Sequence, residues 1–107
     1  MLTFTTGAAL LDALVLSALS EEDAYGYKIT QEVRDVVGIS ESTLYPVLRR
    51  LQKEGFLSTY DREYAGRNRR YYTITMLGNN KLSEYREDWI EYRNKIENLL
   101  FGGIHND

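Results

Sequence analysis

Residues 25–55 read YGYKITQEVRDVVGISESTLYPVLRRLQKEG, and this stretch encodes two helices with a sharp turn between them. Ile29, Val33, Val36 and Val37 recur at helical spacing over residues 25–37. They place an apolar stripe along one amphipathic helix. Gly38 stops that helix, because glycine alone enters the left-handed region cheaply. Ile39, Ser40 and Glu41 then form a tight turn. A second helix covers residues 42–54, with Leu44, Val47, Leu48 and Leu51 as its apolar stripe and Gly55 as its terminator. Pro46 falls inside it. Past the first turn a proline removes a hydrogen bond and costs about 3 kcal/mol. The expectation is therefore a late start near Ser42 or Thr43, or a local kink.

Downstream, residues 56–64 and 69–75 are rich in Tyr and Thr and read as two strands. Ala65, Gly66, Arg67 and Asn68 between them form a hairpin loop. A last helix is expected over residues 77–101. Its Leu82, Tyr85, Trp89, Tyr92, Ile96 and Leu99 alternate at spacings of three and four, which is a heptad seam with charged flanks. At 1.5 Å per residue such a helix is about 36 Å long, more than a small domain covers by itself. Part of the seam is expected to pack against another chain.

Upstream, residues 8–19 are apolar almost all round, including Leu10, Leu11, Leu14, Val15, Leu16 and Leu19. Such a helix is buried on more than one side. It is too short to span a bilayer, lacks a basic leader, and carries Asp12, so it reads poorly as a membrane or signal segment. The fold class is thus mainly α with a small β-hairpin. A winged helix-turn-helix is assigned to residues 1–76, and a long C-terminal dimerisation helix and tail to residues 77–107.

The 107 residues carry a net charge of −3, which argues mildly against nucleic acid. The distribution argues the other way. Residues 41–75 hold seven Lys/Arg against four Asp/Glu, while the flanking segments are acidic. A local basic segment is what phosphate contact needs. With no cysteine and a single histidine, His105 in the tail, the chain has no thiolate site or disulfide framework. No nucleophile–base set or phosphate-binding glycine loop stands out. Neither an enzyme nor a cofactor is expected, and the cytoplasm fits.

Candidate DNA contacts follow from the helix-turn-helix, in which the second helix enters the major groove. With Leu44 and Leu48 inward, Ser42, Tyr45 and Arg49 face outward; Ser40 and Thr43 sit at the helix start and Lys28 on the first helix. Hydroxyls and free N–H groups there meet phosphates or base edges. The face reads equally as a solvated helix surface. Arg62, Arg67, Asn68, Arg69, Arg70 and Tyr71 crowd the hairpin, as suits a minor groove or backbone contact. Edge protection by charge is the other reading. Trp89, mid-seam, reads as an interface anchor or as a platform for a flat ligand.

Several of these pieces carry a family resemblance. LDALVLSAL (residues 11–19), YGYKI (25–29), TLYPVLRRL (43–51) followed by Glu54 and Gly55, and RRYYTITMLG (69–78) together resemble the PadR family of bacterial transcription regulators. The resemblance covers about residues 8–101 and places Pro46 in the recognition helix. The single last helix, with WIEYRNKIENL at residues 89–99, is similar to a compact subgroup that includes a lactococcal multidrug-binding regulator. The resemblance implies a homodimeric repressor on double-stranded promoter DNA. The last helix would pack on the partner's first helix, through Leu11, Leu14 and Val15 together with the seam residues. It also implies a small planar aromatic effector bound between paired Trp89 side chains, with Asp12 close by. The rival is a winged-helix protein-docking module, which has no need of an arginine-rich wing.

Overall fold

The computed structural model describes residues 7–102; His105 lies outside them. The elements run α1 (Ala8–Ala18), β1 (Ala24–Tyr25), α2 (Gly26–Val37), α3 (Glu41–Lys53), β2 (Leu57–Tyr64), β3 (Arg67–Ile74) and α4 (Met76–Leu100). The strands form one antiparallel sheet in the order β1-β3-β2. This is a winged helix-turn-helix followed by a long helix.

The core forms where the apolar stripes of the helices meet the first residues of the hairpin. Val15 and Leu16 of α1, Leu19 just after it, Ile29 of α2, Leu44, Leu48 and Leu51 of α3, and Leu57 of β2 are fully enclosed. Val36, expected on the α2 stripe, faces solvent instead. Ile29 and Val33 already satisfy the inward face, so the register leaves Val36 turned away.

Gly38 caps α2 in the left-handed conformation, at φ 72°, and donates its N–H to the Arg34 carbonyl at 2.7 Å. Only Ile39 and Ser40 then separate it from α3. The helix starts at Glu41 with Ser40 as N-cap, earlier than the sequence predicts. Pro46 therefore lies in the second turn of an unbroken helix, where it has no N–H to offer the Ser42 carbonyl. Leu44, Leu48 and Leu51 are all completely buried on this helix. Packing of that stripe outweighs the missing bond.

The wing is tighter than expected. Tyr64 pairs directly with Arg67, so the turn is only Ala65 and Gly66, at φ 52° and 79°. Two consecutive positive φ values mark the primed two-residue turn that matches the twist of a hairpin. Arg67 and Asn68 consequently lie on β3 and not in a loop. The two-residue strand β1 escapes sequence reading. It pairs with the middle of β3, Ala24 opposite Tyr72 and Tyr25 opposite Tyr71, and ties the entry of α2 to the wing.

Helix α4 is anchored at its first turn. Thr75 accepts the Gly78 N–H at 3.0 Å and donates its hydroxyl to the Gly55 carbonyl at 2.7 Å. Gly78 lies so close to the loop before β2 that a β-carbon there would sit 2.1 Å from the Phe56 carbonyl oxygen. Leu82 is buried and Tyr85 half-buried, but from Trp89 onward the helix leaves the body of the molecule, which extends 59 Å along its longest axis.

Candidate nucleic-acid interface

Helix α3 presents Ser42, Thr43, Pro46, Arg49, Arg50 and Lys53 to solvent. At its start the hydroxyls of Ser40, Ser42 and Thr43 form a small cluster, with Ser40 Oγ 3.0 Å from Ser42 Oγ and 3.1 Å from Thr43 Oγ1. No side chain caps the helix, so its first N–H groups remain available. Arg49 makes no hydrogen bond or ion pair among the described residues. Lys28, on the first turn of α2, is exposed and held loosely by Glu22 at 3.3 Å.

Arg50 differs from its neighbour. It pairs with the buried Asp12 of α1, and its other terminal nitrogen donates to Glu54 at 2.9 Å. The Asp12 hydrogen bond raises the guanidinium pKa above its usual value. Tyr85 of α4 donates its hydroxyl to the second Asp12 oxygen at 3.4 Å. Burial, then the Asp12 charge, pushes the Tyr85 phenol up. One carboxylate thus ties α1, α3 and α4 together. Asp12, expected from the sequence beside a ligand, is 6% exposed and paired with Arg50, and here serves as a structural tether.

Strand alternation divides the basic hairpin between two faces. Arg67, Arg69 and Tyr71 stand on the outer face with Tyr60, Arg62 and Tyr64 of β2. There the rings and guanidinium groups pack on one another. The Arg69 guanidinium lies 4.4 Å from the Tyr25 ring centre and 4.2 Å from that of Tyr64. Tyr60 and Tyr71 stack at 5.6 Å, Tyr25 meets the edge of Tyr71 at 5.8 Å, and Arg62 lies 5.6 Å from the Tyr71 ring centre. Tyr60 also donates to Asp23 at 2.7 Å, which raises its own pKa. Tyr71, Arg62 and Arg69 therefore spend their faces on each other. Arg67, beside the turn, is exposed and makes no ion pair among the described residues.

The inner face of β3 carries Asn68, Arg70 and Tyr72. It borders a cleft closed on the other side by Gly26, Tyr27 and the half-buried Tyr45. Arg70 is only loosely paired, 4.0 Å from Asp61. The predicted contact residues thus form three groups: the start and outer side of α3, the cleft, and the wing with its tip. Tyr72 of the cleft was missed by sequence reading. The alternation within RRYYTI was the available signal, since it sends Tyr71 and Tyr72 to opposite faces.

This arrangement, a braced helix-turn-helix beside a basic wing, is matched by known proteins. The sequence model of the transcriptional regulator PadR-like family matches residues 15–84. The chain belongs to the PadR-like family of transcriptional regulators. A PadR regulator is a winged-helix DNA-binding protein, and the elements above are its parts. The crystal structure of smu.1704 from Streptococcus mutans superposes with a TM-score of 0.88 at 39% identity, covering 99% of this chain and 100% of that one. A PadR-like transcriptional regulator of Bacillus cereus gives 0.78 at 31% identity, over 85% of this chain and 91% of its own. Transcriptional regulator Rv3488 of Mycobacterium tuberculosis is 37% identical over 73 residues, 67% of this chain and 68% of its own.

The seam residues expected at a PadR dimer interface separate by burial. Leu11, Val15 and Leu82 are enclosed by the chain's own core, and Leu14 is half-buried against it. Trp89 is 44% and Leu99 86% exposed, and Tyr92 and Ile96 are exposed with them. Trp89 and Tyr92 lie 6.3 Å apart, ring centre to ring centre. With Leu10, Ala13 and Tyr85 they line an open groove of about 580 Å³ between α1 and α4, bordered by Asp88 and Glu91. Asp12 does not line it. No helix among the described residues is long and apolar enough to cross a membrane.

Proposed function

We propose that this PadR-like regulator acts as a homodimeric repressor that occupies promoter DNA and responds to a planar aromatic ligand. The observation that carries the dimer is the exposed apolar stripe of α4, Trp89, Tyr92, Ile96 and Leu99, which continues past the point where its own core ends. Burying such a stripe against a second copy removes several large side chains from water, each worth about 1.5–3 kcal/mol when fully buried. The partner's α1–α4 groove offers a complementary apolar surface. Two recognition helices held by one such interface read two half-sites at a fixed spacing.

The free cations Arg49 on α3 and Arg67 beside the wing turn support direct contact with DNA. The groove at Trp89 has the size of a small-molecule site. Its aromatic rings and the carboxylate of Asp88 favour a cationic planar compound, while Glu91 is already paired with Lys95, which also lines the groove, at 3.1 Å. Such a ligand acts by fitting one spacing of the recognition helices better than another.

The test is fluorescence anisotropy of the purified protein on its own upstream DNA and on a scrambled duplex, at two salt concentrations. Tight, salt-sensitive binding that prefers the upstream sequence is expected. Equal, weak binding to both would turn attention to the docking-module reading. Trp89 is the only tryptophan, so quenching of its fluorescence by planar cationic dyes reads the groove directly. No quenching at high micromolar dye would remove the ligand from the mechanism.

A further inference from the structure

The cleft between wing and helix-turn-helix contains a polar group that the fold leaves unused. Tyr72 is only 6% exposed, with its ring in the core beside Leu48 and Gly26. Its hydroxyl nevertheless makes no hydrogen bond among the described residues. No enclosed side-chain oxygen or nitrogen there lacks a partner, so the hydroxyl is not sealed in the core; it opens into the cleft that Tyr72 lines. Three side chains act on it electrostatically. Burial raises its pKa most, Arg70 and Arg49 lower it, and Tyr45 raises it. The phenols of Tyr72 and Tyr45 and the guanidinium of Arg70 therefore line one cleft, and the charge of Arg49 on α3 reaches it from outside.

The same cleft receives the start of α2. Gly26 and Tyr27 line it, Tyr25 provides no side-chain cap, and no acidic residue stands in the first turn. The opening N–H groups of a helix have no intrahelical acceptor, and the helix dipole adds positive potential there. Hydroxyl donors, a guanidinium and uncapped N–H groups around one space suit a tetrahedral anion with several acceptor oxygens. Asp61 also borders the space, but it pairs with Arg70 only at 4.0 Å and both are well exposed, so the guanidinium is free to turn towards a stronger anion.

We propose that this cleft seats one phosphate of the DNA strand, held by the hydroxyls of Tyr72 and Tyr45, the guanidinium of Arg70 and the first N–H groups of α2. The seat lies between α3 and the wing, where a strand passes from the groove entered by one to the groove entered by the other. The seat deepens the DNA-binding reading and rests on it. It fixes the register of the duplex without reading sequence.

The test compares the intact protein with Tyr72→Phe and Tyr45→Phe on the upstream and scrambled duplexes. Each variant keeps its ring and loses one neutral donor. The expected result is about tenfold weaker binding by Tyr72→Phe, equal on both duplexes, with an unchanged salt slope because no charge is removed. Its thermal midpoint should stay at the wild-type value, since the hydroxyl has no protein partner to lose. Asp61→Asn should bind more tightly than wild type. Wild-type affinity in Tyr72→Phe, a loss confined to one duplex, or a fall in its thermal midpoint would each overturn the phosphate seat while leaving DNA binding intact. If the wild-type protein binds neither duplex, the DNA-binding reading fails and the seat fails with it.

Discussion

At the scale of single residues, two backbone positions make opposite demands. Gly78 lies within a helix, where Gly→Ala ordinarily stabilises by about 1 kcal/mol. Here the added β-carbon would meet the Phe56 carbonyl at 2.1 Å and Ile74 Cγ1 at 2.8 Å. Gly78→Ala is therefore expected to destabilise by about 1–3 kcal/mol, the range for overpacking. A urea midpoint at or above wild type would show that α4 can shift away from the loop. Ala65 is the reverse case. It holds φ 52° without being glycine, and the left-handed region costs an L-residue about 1–2 kcal/mol. Ala65→Asn, which builds the favoured Asn-Gly turn, should raise stability by about 0.5–1 kcal/mol, read by the same denaturation.

At the scale of elements, the wing is stiffened by its outer face. Arg69 between Tyr25 and Tyr64, and Tyr60 on Asp23, tie β2 and β3 to β1 and its approach. Each exposed cation–π contact is worth about 0.5–1 kcal/mol. Arg69→Ala should thus lower the thermal midpoint, whereas Arg67→Ala should leave it unchanged and reduce the DNA salt slope by about one. The reverse pattern would exchange their roles. A second tie joins elements across the core. Asp12 is buried and Arg50 is not, so losing Arg50 strands a carboxylate while losing Asp12 strands nothing enclosed. Arg50→Ala should destabilise more than Asp12→Ala, the cost of an unpaired buried acceptor being about 1–3 kcal/mol. Equal losses in denaturant melts would show that water reaches Asp12.

For the whole molecule, the decisive feature is how far α4 outruns its own core. Leu82 is enclosed and Leu99 is 86% exposed on the same seam. Leu99→Lys together with Trp89→Ala is expected to convert the proposed dimer to monomer in sedimentation, with little change in the wing and a large loss of DNA affinity. A double variant that still sediments as a dimer would move the interface away from α4.

The order helix, helix, tight turn, helix, hairpin, long helix was written in the sequence, because hydrophobic period and glycine punctuation are local properties. So were the basic middle segment and the seam around Trp89. Local pattern also set the left-handed stop at Gly38. What it could not carry was anything that depends on a distant backbone. The pairing of β1 with β3 joins residues nearly fifty positions apart. The start of α3 at Glu41 despite Pro46 was set by burial of Leu44, Leu48 and Leu51 against other elements. Asp12 became a tether because Arg50 and Tyr85 arrive beside it from α3 and α4, and the basic wing divided between two faces once its register with β2 was fixed. Periodicity specifies which face of an element is apolar; only packing specifies what that face, and the polar groups left over, will meet.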